Sequence, residues 1–236
     1  MGKTSLGSTE IARLLASSSL LSELTEEERT ALAERVRVVR YAAGEWVLHR
    51  GDDGDRMLVV HRGRVKICNT SATGAELLIA IFGPGELVGE LALVDGHVRS
   101  ADVVALEDTE VLILGRDAFR EFVIGRPATG LRLMEVLVAR LRRTTALVEE
   151  AIFLDFPARL ARRIRELAER YGRQSDDGIV VEHGLSQQAV ADSLGVARET
   201  VAKQLSVWRD GGLVSTGRRK IVVHEPELLL YGADET

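Results

Sequence analysis

The chain has 236 residues, 45% of them hydrophobic and 28% charged, with a formal net charge of −5. That length fits two ordinary domains and buries a sizeable core without covalent staples, and a single cysteine excludes an internal disulfide, a Cys-rich zinc site or an iron–sulfur cluster held by this chain alone. No apolar run approaches the roughly 18 residues of a membrane span, and MGKTSLGSTE lacks the apolar core of a secretory signal, so the expectation is a soluble, globular, cytoplasmic protein with no membrane partner.

The first forty residues pattern as helices. Ser8 can start a short helix through Ile11 and Leu15, and Thr25 with Glu28 has the spacing of a capping box, with Leu32 and Val36 following at helical intervals. From Tyr41 to about Leu114 the texture changes. Short β-branched runs (WVLH, MLVVH, RVKIC, LLIAI, ADVVAL, EVLIL) alternate with turns carrying Gly44, Gly51, Gly54, Gly63, Gly74, Gly83 and Gly85. Such spacing predicts one antiparallel roll, barrel or sandwich.

A long helix is predicted from about Ala128 to Phe153. Met134, Leu141 and Val148 are seven apart, as are Leu137, Thr144 and Ala151, so the helix carries an apolar seam interrupted by hydroxyls at Thr144 and Thr145. A heptad seam pairs with a second copy in a parallel dimer, or lies against the chain's own β domain. Pro157 punctuates the join to the last part, which begins with a helix over Pro157–Tyr171. Ile179–Val181 reads as a strand, Ser186 as the cap of a helix Gln187–Leu194, Gly195 as a turn, and Arg198–Arg209 as the next helix. Gly217-Arg218-Arg219 then forms a hairpin tip between Leu213-Val214 and Ile221-Val222-Val223. A helix, glycine turn and helix followed by a basic hairpin is a winged helix-turn-helix. Charge is uneven along the chain: 19 Lys+Arg face 24 Asp+Glu up to Asp155, but 12 face 8 within Arg159–Lys220. That hints at nucleic acid, or at an ordinary solvated surface.

Four stretches carry a family resemblance over nearly the whole chain. They are Gly44-Glu45-Trp46-Val47 through Gly51-Asp52-Asp53-Gly54-Asp55; Gly85-Glu86-Leu87-Val88-Gly89-Glu90-Leu91-Ala92 ending in Arg99-Ser100-Ala101; Phe153-Leu154-Asp155; and Val196-Ala197-Arg198-Glu199-Thr200-Val201. In order and at this spacing they resemble the first roll turn, phosphate-binding cassette, hinge and recognition helix of the Crp/Fnr-type transcription regulators, the family of the bacterial cyclic-AMP receptor. The resemblance implies an α+β fold with three parts: a cyclic-nucleotide-binding β-roll over 1–125, a dimerisation helix and hinge over 126–155, and a winged helix-turn-helix over 156–236.

Within the cassette Arg99 can set its planar fork against a cyclic phosphodiester, Ser100 can donate a hydroxyl, and Glu90 is the acceptor that a ribose 2′-hydroxyl needs. Backbone N–H groups after Gly89, through Leu91 and Ala92, can add donors. By resemblance Glu90 takes the ribose and Arg99 with Ser100 the phosphate; without that frame, Glu90 and Arg99 read as a surface ion pair. Thr144 and Thr145 match the positions that meet adenine, one from each subunit. By this resemblance cyclic AMP is the expected effector; a threonine hydroxyl both donates and accepts, so it can also serve guanine, which leaves cyclic GMP, either nucleotide, or none as alternatives.

On the recognition helix Arg198 can pair with O6 and N7 of guanine and Glu199 can accept from N4 of cytosine. Both match the family's base readers, while Lys203 stands where a third, an arginine, is usual. Lysine lacks the fork, so readout there is relaxed. Ala197 replaces a capping Ser. Ser186, Gln187, Arg218, Arg219 and Lys220 are phosphate-contact candidates or solvated surface. Cys68 reads as a small buried hydrophobe, and His97, inside the cassette loop, as a surface residue. His49, His61, His97, His183 and His224 show no metal-ligand spacing, and no catalytic motif appears. The expectation is a non-enzymatic, homodimeric regulator of palindromic double-stranded DNA. An activator would also need a surface for RNA polymerase, which no stretch identifies. A nucleotide-binding module acting on a protein partner is the reading from another class, and it leaves Arg198, Glu199 and the basic wing unexplained.

Overall fold

The computed structural model describes residues 2–3, 7–16, 18, 21, 24–72, 74, 76–182, 185–217, 219–227 and 229. The chain opens with strand β1 (Gly2–Lys3) and helices α1 (Ser8–Leu15) and α2 (Glu26–Ala33). Thr25 caps α2 in the predicted reciprocal box: its hydroxyl accepts from the Glu28 N–H at 3.2 Å, and the Glu28 carboxylate accepts from the Thr25 N–H at 3.0 Å. The helical pattern does not continue through Val36 as the spacing predicted. Val36–Tyr41 is strand β2, buried except at Arg37 and Arg40 and paired antiparallel with residues 109–114. Its β-branched valines favour the pleated surface, and the partner lies seventy residues on, beyond the reach of a local pattern.

The roll continues with β3 (Trp46–Leu48), β4 (Arg56–Arg62), β5 (Val65–Thr70), β6 (Glu76–Phe82), β7 (Leu87–Val88), the short helix α3 (Glu90–Asp95), β8 (Asp102–Ala105) and β9 (Thr109–Gly115). Two sheets result, in the orders β1-β2-β9-β4-β7 and β3-β8-β5-β6. Successive side chains on a strand point to opposite faces, and the first sheet uses both. Val39, Tyr41, Leu58, Val60, Val111 and Ile113 form one core with Val47, Val65, Val103 and Phe82 of the second sheet. Val36, Val38, Met57, Val59, Leu112 and Leu114 face the other way, into a core closed by helices. Burial on both faces is why MLVV and EVLIL read as nearly continuous apolar runs.

That second core is covered by α1, α2 and α4 (Arg116–Ile124), a helix the sequence reading left unassigned, through Phe119 and Phe122. Helix α5 (Pro127–Phe153) follows, within one residue of its predicted start, and adds Leu133 and the half-buried Leu137. Leu131, Met134, Val138, Leu141, Val148 and Ile152 stay exposed along α5. Among the described residues the predicted seam is therefore exposed at Met134, Leu141 and Val148, while Leu137 packs against the roll.

The C-terminal part comprises α6 (Phe156–Tyr171), β10 (Gly172–Ser175), β11 (Gly178–Val181), α7 (Gln187–Leu194), α8 (Arg198–Asp210), β12 (Val214–Gly217) and β13 (Lys220–Val223), with its sheet ordered β10-β11-β13-β12. Contacts divide the chain into two compact units, Met1–Asn69 with Ile79–Leu141, and Thr70–Leu78 with Arg142–Thr236. The end of α5, from Arg142, belongs with the C-terminal unit. Among the described residues no helix is long and apolar enough to cross a membrane, and no group of three metal-ligating side chains forms.

Candidate ligand site and nucleic-acid interface

The cassette is built around one backbone choice. Gly89 caps α3 with φ +83°, a conformation that costs an L side chain about 1 kcal/mol or more. A Cβ there would also lie 2.6 Å from Nη1 of Arg99. That approach is used: Arg99 donates to the Gly89 carbonyl at 2.8 Å and to the Arg56 carbonyl at 2.5 Å. Arg99 is 3% exposed, and its buried Nε has no partner. Burial holds its pKa below the usual guanidinium value. Asp55, 3.8 Å away and largely exposed, pulls the other way, and the Arg56 and Arg116 cations push it lower again. A buried, poorly neutralised cation with an unused donor favours an incoming anion. Gly89→Ala is expected to displace Arg99 and to weaken nucleotide binding at least about tenfold; titration calorimetry showing wild-type affinity would overturn this account of the turn.

Glu90 is 1% exposed. It is not paired with Arg99, so the surface-ion-pair alternative does not describe this site. Its partner is Arg140 of α5, which also donates to the Leu87 carbonyl and lies 4.5 Å over the Phe82 ring. The sequence reading missed Arg140. The one signal was its place on α5, a full turn before Thr144. It also missed Arg116, which donates to the carbonyls of Gly54 (2.5 Å) and Ala92 (3.1 Å) and so clamps the roll turn to α3. Those two backbones meet closely, since a Cβ on Gly54 would lie 2.1 Å from that of Ala92. Ala92 is buried, while Leu91 and Ser100 are exposed beside the cassette. Thus Gly89, Glu90, Leu91, Ala92, Arg99 and Ser100 come together in one unit. Thr144 and Thr145 sit on α5 within the other. Cys68 is fully buried and His97 exposed, both as read from the sequence.

In the C-terminal unit Ser186 caps α7, its hydroxyl accepting from the Ala189 N–H at 3.1 Å, and Gly195 turns the chain with φ +65°. Ala197 offers α8 no side-chain cap, as predicted. Val201, Leu205 and Trp208 bury one face of α8. Arg198, Glu199 and Lys203 are exposed on another, their side chains making no hydrogen bond or ion pair with the described residues. Gln187 and Lys220 are half-buried, Arg219 is exposed, and Arg218 and His183 lie outside the described residues. Arg219 adopts φ +57°, a left-handed conformation costing about 1 kcal/mol outside glycine. Arg219→Gly is therefore expected to stabilise the wing slightly. If Arg219 meets a phosphate, the same change weakens DNA binding uniformly over sequences and lowers the salt slope by about 0.9 per subunit. An unchanged slope would mark it as solvated surface.

Residues 38–125 match the cyclic nucleotide-binding domain family, and residues 158–230 match the Crp-like helix-turn-helix domain. The chain is 31% identical over 216 residues to the CRP-like cAMP-activated global transcriptional regulator of Mycobacterium tuberculosis, across 92% of this chain and 96% of that one. It belongs to the Crp/Fnr family. Two solved structures share the fold: FixK2 from Bradyrhizobium japonicum (TM-score 0.74, 20% identity, 82% of this chain and 95% of that one) and the c-di-GMP responsive regulator CLP from Xanthomonas campestris (TM-score 0.73, 23% identity, 84% and 97%). This Crp/Fnr protein is thus a cyclic-nucleotide-binding, DNA-binding transcription regulator rather than an enzyme.

Proposed function

We propose that the protein is a homodimeric regulator whose affinity for palindromic DNA rises when cyclic AMP binds. The observation that carries this reading is Arg99: a buried guanidinium with an unused Nε, hydrogen-bonded to the glycine that precedes Glu90. Arg99 is thus tied to the residue before Glu90, and we read the cation as the partner of the phosphate and the carboxylate as that of the 2′-hydroxyl of one cyclic nucleotide. Glu90 keeps acceptor capacity for a ribose hydroxyl while bound to Arg140, because a carboxylate has about four lone-pair sites. Ser100 adds a donor to the phosphate, and the backbone of Gly89, Leu91 and Ala92 frames it. Thr144 and Thr145 meet the base, by the family resemblance.

The exposed seam of α5 pairs two copies, and nucleotide favours the pose in which both α8 helices fit successive major grooves about 34–36 Å apart. The ligand shifts that equilibrium only by its differential affinity for the two poses. Arg198 and Glu199 read base edges with Lys203 beside them, and Ser186, Gln187, Arg218, Arg219 and Lys220 contact phosphates. The test is fluorescence anisotropy on a palindrome of TGTGA-type half-sites at one salt concentration, because salt alone moves such affinities greatly. Tight binding only with cyclic AMP supports the reading. Equal responses to cyclic AMP and cyclic GMP make the protein a dual sensor, and equal binding without nucleotide overturns the gating.

A further inference from the structure

Long side chains bridge the end of α5 and helix α6 on either side of the corner at Leu154-Asp155, where the Asp155 carboxylate caps α6 by accepting from the Ala158 N–H at 2.9 Å. Two ion pairs of opposite polarity cross the corner. Arg143 of α5 binds Oε1 of Glu166 on α6, and Glu150 of α5 lies 3.5 Å from Arg162 on α6. Residues 143 and 150 are two turns apart on α5, and 162 and 166 are one turn apart on α6, so each pair of positions shares a helix face. Glu166 does double duty, because its Oε2 also accepts from Arg163 at 2.7 Å. Arg163 is 8% exposed, and its pKa is lowered chiefly by burial; Glu166 opposes that shift and the Arg143 cation adds to it. Glu166 therefore holds together two guanidiniums, one from each helix, that would otherwise repel.

We infer that Glu166 and Arg143 are positioning residues that make the Thr144–Thr145 turn of α5 and the DNA-reading module move as one body. Arg143 immediately precedes Thr144. From α6 the connection continues through Arg159, which donates to the Leu194 carbonyl at 3.3 Å where α7 ends and the turn to α8 begins. A nucleotide that repositions the hydroxyls of Thr144 and Thr145 then carries α6, and with it α8, only while the tie across the corner holds. This extends the proposed function and rests on it for its regulatory consequence. Coupling is a free energy between two sites, and the measurement reads it directly.

Arg143→Gln is the discriminating variant, because it cuts the tie while leaving Glu166 bound to Arg163. Glu166→Gln is the second; it also strands the buried Arg163. Two quantities are read in the full-length protein, with wild type and Arg143→Lys alongside. The first is hydrogen exchange at Leu154 and Arg159, whose N–H groups donate to Glu150 and Asp155 at 3.1 Å; exchange tracks local opening. The second is the ratio of DNA affinities with and without cyclic AMP, with nucleotide affinity measured separately without DNA.

Arg143→Gln is expected to speed exchange at the corner at least about fivefold and to reduce the affinity ratio by a similar factor, at the low end of ordinary allosteric couplings. Nucleotide affinity should stay within about twofold and α8 exchange should be unchanged, with Arg143→Lys recovering much of the ratio because it restores the charge. Wild-type responsiveness with an unaltered ratio in Arg143→Gln overturns the inference. If wild-type DNA binding ignores nucleotide, the proposed gating fails instead, and corner exchange alone decides the tie: faster exchange in both Gln variants supports it, and unchanged exchange overturns it.

Discussion

Replacing Arg99 by Ala is expected to abolish most of the nucleotide response while leaving a folded, DNA-competent protein. A charge-assisted hydrogen bond is worth about 1.5–3 kcal/mol net, so losing the fork should weaken cyclic nucleotide binding at least about tenfold. The loss has a thermodynamic signature. At a ligand concentration of a hundred times the wild-type Kd, binding stabilises the wild type by about 2.7 kcal/mol, and a tenfold weaker variant gains only about 1.4. Differential scanning of both proteins with and without cyclic AMP reads that difference as a diminished shift in Tm. The ligand-free fold should suffer less, because the substitution removes a buried cation that is costly to keep out of water, against two hydrogen bonds to carbonyls. Arg99→Lys should fall between, keeping the charge but losing the planar fork. If Arg99→Ala shows the full wild-type Tm shift, the anion does not sit on Arg99 and the cassette has been misread.

What the sequence revealed and what it withheld divide along the range of the interactions. Gly89, Glu90 and Arg99 were legible because their constraint is local. A left-handed glycine opens α3, and a carboxylate and an arginine follow within ten residues. The capping box at Thr25 and Glu28 and the glycine turn at Gly195 are similarly short-range, and both are observed. Val36 was misassigned because four-residue spacing from Leu32 is equally compatible with the start of a strand whose partner, β9, is far away in the chain. Arg140 was invisible as a site residue for the same reason. On α5 it is one arginine among several, and only the folded roll brings the Glu90 carboxylate to it across fifty residues. Burial was the other hidden variable. Nothing in RSA or GELA states that Arg99 and Glu90 are almost wholly inaccessible, yet that inaccessibility sets them apart from an exposed ion pair worth about 0–1 kcal/mol.

Arg140→Ala should strongly destabilise the N-terminal unit. Glu90 is 1% exposed and Arg140 is its ion-pair partner, so the truncation strands a carboxylate inside the protein. Removing one partner of a buried pair typically destabilises by about 3–5 kcal/mol, far more than the pair itself contributes. The change also frees the Leu87 carbonyl and uncovers the Phe82 ring that the guanidinium covers. For a unit of this size about 3 kcal/mol corresponds to a Tm lowered by roughly 10 °C. The cause is separable by a double-mutant cycle. Glu90→Gln removes the stranded charge, so Arg140→Ala should cost much less in a Glu90→Gln background, with a coupling of about 1–3 kcal/mol between the two positions. Additive effects would mean that Arg140 acts through packing on Phe82 and not through Glu90. Nucleotide affinity gives the second axis. Both single variants should lose it, Glu90→Gln because the amide is a weaker acceptor for a ribose hydroxyl, and Arg140→Ala because an unpaired buried Glu90 no longer holds its orientation. A stable Arg140→Ala protein that bound cyclic AMP normally would remove Arg140 from the site altogether.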